Sequence, residues 1–92
     1  MKNEVKTTLT IINQLGLHAR AATKLVQMAS QFNSELLLQK DGREVNGKSI
    51  MGVLLLTASA GDIIEATSKG PDCVELMDAV IKLVEDKFGE DK

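Results

Sequence analysis

The sequence predicts an α+β fold: an open-faced β-sandwich in which three helices cover one face of a four-stranded antiparallel sheet. Three observations carry this prediction: a period of two over residues 5–12, a helical period over residues 73–87, and the link Asp41-Gly42 between two strand-like runs. The predicted order is strand, helix, strand, strand, helix, strand, helix, which contains a split β-α-β arrangement. One sheet covered on one face is the economical packing for that order. The chain has 92 residues, so we expect one domain, 1–92.

The predicted strands follow from alternation and turn residues. Residues 5–12 place Val5, Leu9 and Ile11 on one face and mostly polar residues on the other. Residues 35–40 and 43–45 flank Asp41-Gly42, which suits a type I′ turn because both residue types tolerate positive φ. Residues 63–68 form the last strand and direct neighbouring side chains to opposite faces.

The predicted helices differ in how strongly the pattern supports them. After a loop at residues 13–17, apolar residues recur at helical spacing as far as Ala29, and residues 73–87 repeat that pattern more clearly. Residues 49–56 are apolar nearly all round, so periodicity alone does not separate helix from strand; Ser49 as an N-cap favours a helix. Gly70-Pro71-Asp72 is expected to end the last strand and cap the last helix.

Composition excludes several classes of protein. The net charge is −2 and aromatic residues make up 2%, so the chain lacks the basic field and stacking platforms of nucleic-acid binders. The single cysteine, Cys73, cannot form an internal disulfide and fits a small core residue; with no export signal evident, we expect a cytoplasmic protein. The longest apolar run is far shorter than the ~20 residues of a membrane helix, so we expect no membrane insertion.

The chain's only histidine, His18, lies where the first helix is expected to begin. The first N–H groups of a helix lack intrahelical partners and carry partial positive charge, so a phosphoryl group on the ring would find donors there. Arg20 could bind the same oxygens, and Gly16 would let the loop backbone approach closely. On pattern alone, the ordinary alternative is a surface or capping histidine.

Other chemistries have less support in the residues. One histidine and one cysteine far apart do not supply the usual ligands of a transition metal, so we expect no metal and no cofactor. A G-x-S-x-G elbow, which would accompany a hydrolytic triad, is absent from the sequence. A module that binds a small phosphorylated metabolite remains an alternative, although the sequence shows no pocket signature for it.

Two separated motifs resemble those of a known family. Gly16-Leu17-His18-Ala19-Arg20, followed farther on by Gly47-Lys48-Ser49-Ile50-Met51-Gly52-Val53, is similar to the histidine-containing phosphocarrier proteins, the HPr family. The resemblance covers nearly the whole chain. It implies a relay in the bacterial phosphoenolpyruvate-dependent phosphotransferase system, in which the Nδ1 atom of His18 takes a phosphoryl group from enzyme I and passes it to enzyme IIA domains, with no turnover of its own. Arg20 corresponds to the motif arginine that stabilises the phosphate.

The resemblance also implies a regulatory site and a docking surface. Ser49 corresponds to the serine that an HPr kinase phosphorylates in many bacteria, although serine would serve as an N-cap in any case. The residues that correspond to the partner-binding positions are Thr23, Lys24, Gln27, Ile50, Met51 and Leu54. We expect Ile50 or Met51 to point outward and Val53 inward, and we expect a monomer, because a carrier offers one face to successive partners.

One position departs from the commonest family motif, which has proline directly after the arginine. Here that position is Ala21, a good helix former that keeps its N–H, so the site should survive with a less rigid entry into the helix. The departure bears on transfer rate and partner choice. Two alternatives stay open: the nitrogen-related regulatory branch of the relay, and a non-catalytic interaction domain that kept the fold.

Overall fold

The computed structural model describes residues 3–92. The strands and helices follow one another in the predicted order, and a short 3-10 turn at Lys87–Gly89 follows the last helix. The strands are β1 (Glu4–Thr10), β2 (Glu35–Lys40), β3 (Arg43–Asn46) and β4 (Ile63–Lys69), and the helices are α1 (Ala19–Ala29), α2 (Ile50–Leu55) and α3 (Cys73–Glu85).

The four strands form one antiparallel sheet in the spatial order β1-β4-β2-β3. Strand β4 is central: Ala66 pairs with Thr7 of β1 on one side and with Leu38 of β2 on the other. Side chains alternate across the pleat, so Ile64 is buried while its neighbour Ile63 is 60% exposed. The sheet therefore has one face toward the core and one toward solvent, which confirms the open-faced sandwich.

The hairpin between β2 and β3 forms through the predicted turn. Asp41 and Gly42 have φ values of +52° and +80°, the left-handed conformations that a type I′ turn requires. Strand β3 extends one residue beyond the predicted segment, to Asn46.

The helices cover the buried face of the sheet and together close the core. Helix α1 contributes a stripe of small and branched side chains, α2 contributes Val53, and α3 contributes a longer stripe at helical spacing. The apolar side chains with 2% exposure or less include Ile11, Leu25, Leu36, Leu38, Val53, Leu76, Met77, Val80 and Phe88. Cys73 is buried at the start of α3, as expected of a small core residue.

The ends of β1 and α3 also differ from the sequence prediction. Strand β1 ends at Thr10 instead of residue 12, although the Ile11 N–H still donates to the Asp62 carbonyl at 2.9 Å. Helix α3 ends at Glu85 instead of Lys87, because Lys87 and Phe88 adopt φ values of +55° and turn the chain back. This reversal buries Phe88, which is 1% exposed. Burial of its apolar surface stabilises the turn, and helical periodicity in the sequence does not reveal that contact.

The expected cap of α3 is also different. Asp72 lies at the N-cap position, but its side chain makes no capping hydrogen bond to the helix. The carboxylate instead accepts hydrogen bonds from the backbone N–H groups of Asn33 and Ser34. The residue predicted as a local cap therefore joins the start of α3 to the loop before β2.

Candidate functional site

His18 occupies the N-cap position of α1, where the sequence placed it. Its backbone is extended, with φ −78° and ψ −177°, and its carbonyl accepts the first helical hydrogen bond, from Ala22 at 2.8 Å. The ring makes no capping bond to the helix, and no acidic residue lies in the first turn. The N–H groups of Ala19, Arg20 and Ala21 consequently have no intrahelical acceptor, and the first turn presents donors and partial positive charge beside the ring.

The loop before the helix depends on Gly16. Its φ is +67°, and a Cβ atom at this position would lie 2.4 Å from the Ala58 carbonyl oxygen and 2.9 Å from Cα of Ser59. The next residue, Leu17, donates its N–H to the same Ala58 carbonyl at 2.9 Å. Glycine is required here for both conformation and space, and the contact fixes the loop that delivers His18.

Arg20 is exposed in the first turn of α1 and lines a cleft of about 380 Å³. The opposite lining comes from Gln14 and Leu15 in the loop and from the last residues of the chain, 89–92. Leu15 is 67% exposed, although it is a large apolar side chain. The guanidinium therefore lies in an accessible position beside the helix start, suited to binding an anion.

The structure adds two residues that the sequence did not single out. Glu90 Oε2 lies 2.5 Å from His18 Nε2, and the Nδ2 amide of Asn13 donates to Glu90 Oε1 at 3.0 Å and to the Gly16 carbonyl at 2.8 Å. Asn13 is fully buried, and the Glu90 side chain is 9% exposed against 29% for His18. Since 72 positions separate His18 from Glu90, no local pattern signals the pair.

The charge state of Glu90 follows from its surroundings. Burial on its own raises the pKa of a carboxyl group, but the hydrogen bonds with Asn13 and His18 and the positive charge of Arg20 outweigh it and lower the pKa of Glu90. Glu90 is therefore a carboxylate at neutral pH, hydrogen-bonded to the histidine of the site and close enough to the arginine to feel its charge.

The second motif forms α2 as predicted. Ser49 is its N-cap, and the Ser49 hydroxyl oxygen accepts a hydrogen bond from the Gly52 N–H at 3.1 Å. Met51 is 69% exposed and Ile50 39%, whereas Val53 is fully buried. The prediction of an outward Ile50 or Met51 and an inward Val53 is confirmed; Leu54 is half-buried, and Leu55, which the sequence analysis did not single out, is 53% exposed.

The three docking candidates on α1 have different surroundings. Gln27 is exposed, and the Thr23 hydroxyl donates to the Ala19 carbonyl at 2.8 Å. Lys24 is half-buried, and its ammonium group donates to the Phe88 carbonyl at 2.7 Å, so it also holds the C-terminal turn. Helix α1 packs against α2, which places the two sets of candidates on adjoining elements.

Two further properties concern the part of the chain that the structure describes. Within residues 3–92, histidine, cysteine and carboxylate side chains nowhere gather in a group of three or more that could hold a metal ion. Within the same residues, every helix is too short or too polar to cross a bilayer.

Comparisons with known proteins show the family to which the chain belongs. The protein-family model described as "PTS HPr component phosphorylation site" matches residues 5–86. The phosphocarrier protein HPr of Cupriavidus necator is 49% identical over 81 residues, which cover 88% of this chain and 91% of that protein. The phosphocarrier protein NPr of Escherichia coli is 41% identical over 88 residues, 95% of this chain and 98% of that protein.

Solved structures show the same fold. The crystal structure of HPr-C-His from Thermoanaerobacter tengcongensis superposes with a TM-score of 0.92 at 42% identity, covering 96% of this chain and 99% of that one. A four-stranded antiparallel sheet covered on one face by three helices defines the class of open-faced α+β sandwiches. The chain belongs to the HPr family of the phosphotransferase system.

Proposed function

We propose that the protein carries a phosphoryl group on His18, accepting it from phosphorylated enzyme I and passing it to enzyme IIA domains of the phosphotransferase system. The observation that carries the proposal is the half-exposed His18 ring at the start of α1, beside unpaired helical N–H groups and the exposed Arg20. Family membership supports the same reading. The chain is a carrier: the group enters and leaves on one ring, and no cofactor takes part.

The site suits a transferable phosphoryl group. A phosphoryl group on the Nδ1 atom of His18 would carry negative charge next to the N-terminus of α1, where backbone donors favour anions. The fork-shaped guanidinium of Arg20 adds charge-assisted hydrogen bonds from the open side of the site. Positioning and charge stabilisation account for most of the catalysis of phosphoryl transfer, and this arrangement supplies both.

The proposed docking surface consists of Thr23, Lys24 and Gln27 on α1 and Ile50, Met51 and Leu54 on α2. The exposed side chains of Ile50 and Met51 form its apolar part. Exposed apolar side chains on a small soluble protein tend to mark partner surfaces, and methionine adapts to differently shaped partners. Because enzyme I and enzyme IIA must each reach the same ring, we infer that both use this surface and that the protein acts as a monomer. We also infer that it works in the cytoplasm.

Ser49 is the proposed regulatory site. A phosphate there would place about two negative charges directly before Ile50 and Met51, at the edge of the docking surface. An HPr kinase that modified Ser49 would therefore reduce docking of enzyme I without touching His18.

Relatives from both branches of the relay match this chain. The HPr of Cupriavidus necator is 49% identical, whereas the NPr of Escherichia coli is 41% identical. The difference in identity and the intact residues 47–53 favour the sugar-type branch, and the nitrogen-related regulatory branch is the second candidate. Phosphoryl transfer to purified enzyme IIA domains of each type would assign the branch.

Acceptance of the phosphoryl group is tested by intact-mass analysis. The protein and its His18→Ala variant are incubated with phosphoenolpyruvate, magnesium and enzyme I from the same source. We expect one added phosphoryl group on the unsubstituted protein, lost after brief acid treatment, and none on the variant. An unmodified protein under these conditions would reduce the resemblance to one of fold alone.

The docking surface is tested with a matched pair of substitutions. Met51→Glu places a charge on the proposed surface, and Ile63→Glu places the same charge on the open face of the sheet, where Ile63 is 60% exposed. We expect Met51→Glu to lower the rate of phosphorylation by enzyme I about tenfold or more, and Ile63→Glu to leave it unchanged. Equal rates in both variants would place the docking surface elsewhere.

A further inference from the structure

Glu90 lies beyond residues 5–86, which the family model matches, although its hydrogen-bond partner His18 lies within them. Their hydrogen bond joins the last residues of the chain to the start of α1. Two anchors hold Glu90 in place: Asn13 donates to its second carboxylate oxygen, and Phe88, two residues earlier, is 1% exposed in the core. Lys24 donates to the Phe88 carbonyl, and the Gln14 N–H donates to the Lys92 carbonyl at 3.0 Å, so both sides of Glu90 are fixed.

The hydrogen bond also determines which ring nitrogen carries the proton. A carboxylate has no proton to give, so Glu90 can only accept, and Nε2 of His18 must be the donor. A neutral imidazole carries a single N–H. When that N–H is on Nε2, the lone pair is on Nδ1, the nucleophilic position that the proposed function requires.

We propose that Glu90 is a positioning residue for His18: its carboxylate holds the ring in the Nε2–H tautomer and in one orientation, and so directs Nδ1 toward the incoming phosphoryl group. This inference rests on the proposed function. Asn13 serves the arrangement indirectly, because its amide orients the Glu90 carboxylate from a fully buried position.

The proposed step balances in atoms and charge. The Nδ1 lone pair forms the new N–P bond, the bond between phosphorus and its donor atom in phosphorylated enzyme I breaks, and the electron pair of that bond stays with the donor atom. The proton on Nε2 stays there, so the His18 ring gains positive charge as the bond forms. Glu90 accepts the Nε2–H throughout and offsets that charge, as the carboxylate partner of a catalytic histidine does. Transfer to enzyme IIA reverses these changes.

The test compares Glu90→Gln with Glu85→Gln. Both variants replace a glutamate carboxylate by an amide near the end of the chain, but Glu85 is exposed at the end of α3 and lies outside the cleft that Arg20 lines. Ring ¹⁵N chemical shifts of His18, recorded where the ring is neutral, report the tautomer, and rapid mixing with phosphorylated enzyme I reports the rate. Thermal unfolding of each variant confirms that the fold is retained.

We expect the unsubstituted protein and Glu85→Gln to hold the Nε2–H tautomer almost exclusively and Glu90→Gln to show a mixture of tautomers. The phosphorylation rate should fall about tenfold in Glu90→Gln alone, since a charge-assisted hydrogen bond is lost. An unchanged tautomer in Glu90→Gln, or a mixed tautomer with an unchanged rate, overturns the inference. If the unsubstituted protein accepts no phosphoryl group, the proposed function fails, and that result is separate from the tautomer measurement.

Discussion

Asp72 and Ser34 bind each other reciprocally across the molecule. The Ser34 N–H donates to Asp72 Oδ1 at 2.8 Å, and the Asp72 N–H donates to the Ser34 hydroxyl oxygen at 3.0 Å. The Asn33 N–H donates to the other Asp72 carboxylate oxygen at 2.9 Å. The pair joins the start of α3 to the start of β2, and Ser34 is 1% exposed. Two elements that are distant in sequence are therefore held in register by one carboxylate and one hydroxyl.

Asp72 should make the fold more stable at neutral than at acid pH. The hydrogen bond with the Ser34 side chain and those from the Asn33 and Ser34 N–H groups lower the pKa of Asp72, against an opposing effect of burial. A carboxyl group with a lowered folded pKa stabilises fully above its unfolded pKa, about 4, and loses that stabilisation as the pH falls through the folded value. We therefore expect Asp72→Asn to flatten the acid limb of the stability curve.

Urea denaturation at a series of pH values measures this effect, with Asp78→Asn as the control on the exposed side of α3. Asp62 and Glu90 also have lowered pKa values, so every protein in the series loses some stability in acid. Parallel curves for Asp72→Asn and the unsubstituted protein would contradict the role given to Asp72.

Gly16 and Gly61 allow the energetic cost of a left-handed backbone conformation to be measured separately from the cost of a steric clash. Both have positive φ, +67° and +91°, but an added Cβ at Gly61 meets nothing within 4 Å, whereas at Gly16 it meets the backbone of Ala58 and Ser59. We expect Gly61→Ala to cost about 1 kcal/mol from conformation and Gly16→Ala to cost a further ~1–3 kcal/mol from overpacking. Urea unfolding of the two variants checks the difference, and equal losses would show that the loop yields without strain.

Ser49 combines a structural and a proposed regulatory role, and two substitutions separate them. Ser49→Ala removes the hydrogen bond from Gly52 and should cost about 1 kcal/mol of unfolding free energy. Ser49→Asp restores a good N-cap and adds a negative charge, so it should be more stable than Ser49→Ala and slower to accept a phosphoryl group from enzyme I. If Ser49→Asp were both more stable than Ser49→Ala and faster to accept the phosphoryl group, a charge effect on docking would be contradicted.

Thr57 adopts a conformation that suits glycine better. It is an exposed β-branched residue with φ +49°, directly after the C-cap of α2. We expect Thr57→Gly to be more stable than Thr57→Ala by about 1 kcal/mol, because alanine keeps the left-handed strain that glycine removes. Chemical denaturation compares the pair directly; an alanine variant as stable as the glycine variant would place the strain elsewhere.

Much of the fold and part of the site could be predicted because the relevant interactions are local. The type I′ turn at Asp41-Gly42 and the N-cap at Ser49 each involve residues within four positions of one another. The position of His18 at the start of α1 follows from the same local periodicity. The inward direction of Val53 and the outward direction of Ile50 or Met51 were also expected, from the docking positions that the family resemblance implies.

The sequence alone determined the order of the elements, the buried faces of the amphipathic ones and the position of His18 beside Arg20, because periodicity and capping act over a few residues. Only the tertiary structure decided the partners of Asp72, the burial of Phe88 and the contact of Glu90 with His18. Those contacts join residues that are far apart along the chain, so they depend on how the whole chain packs. Their geometry is therefore a property of the packed chain and has no counterpart in any local pattern.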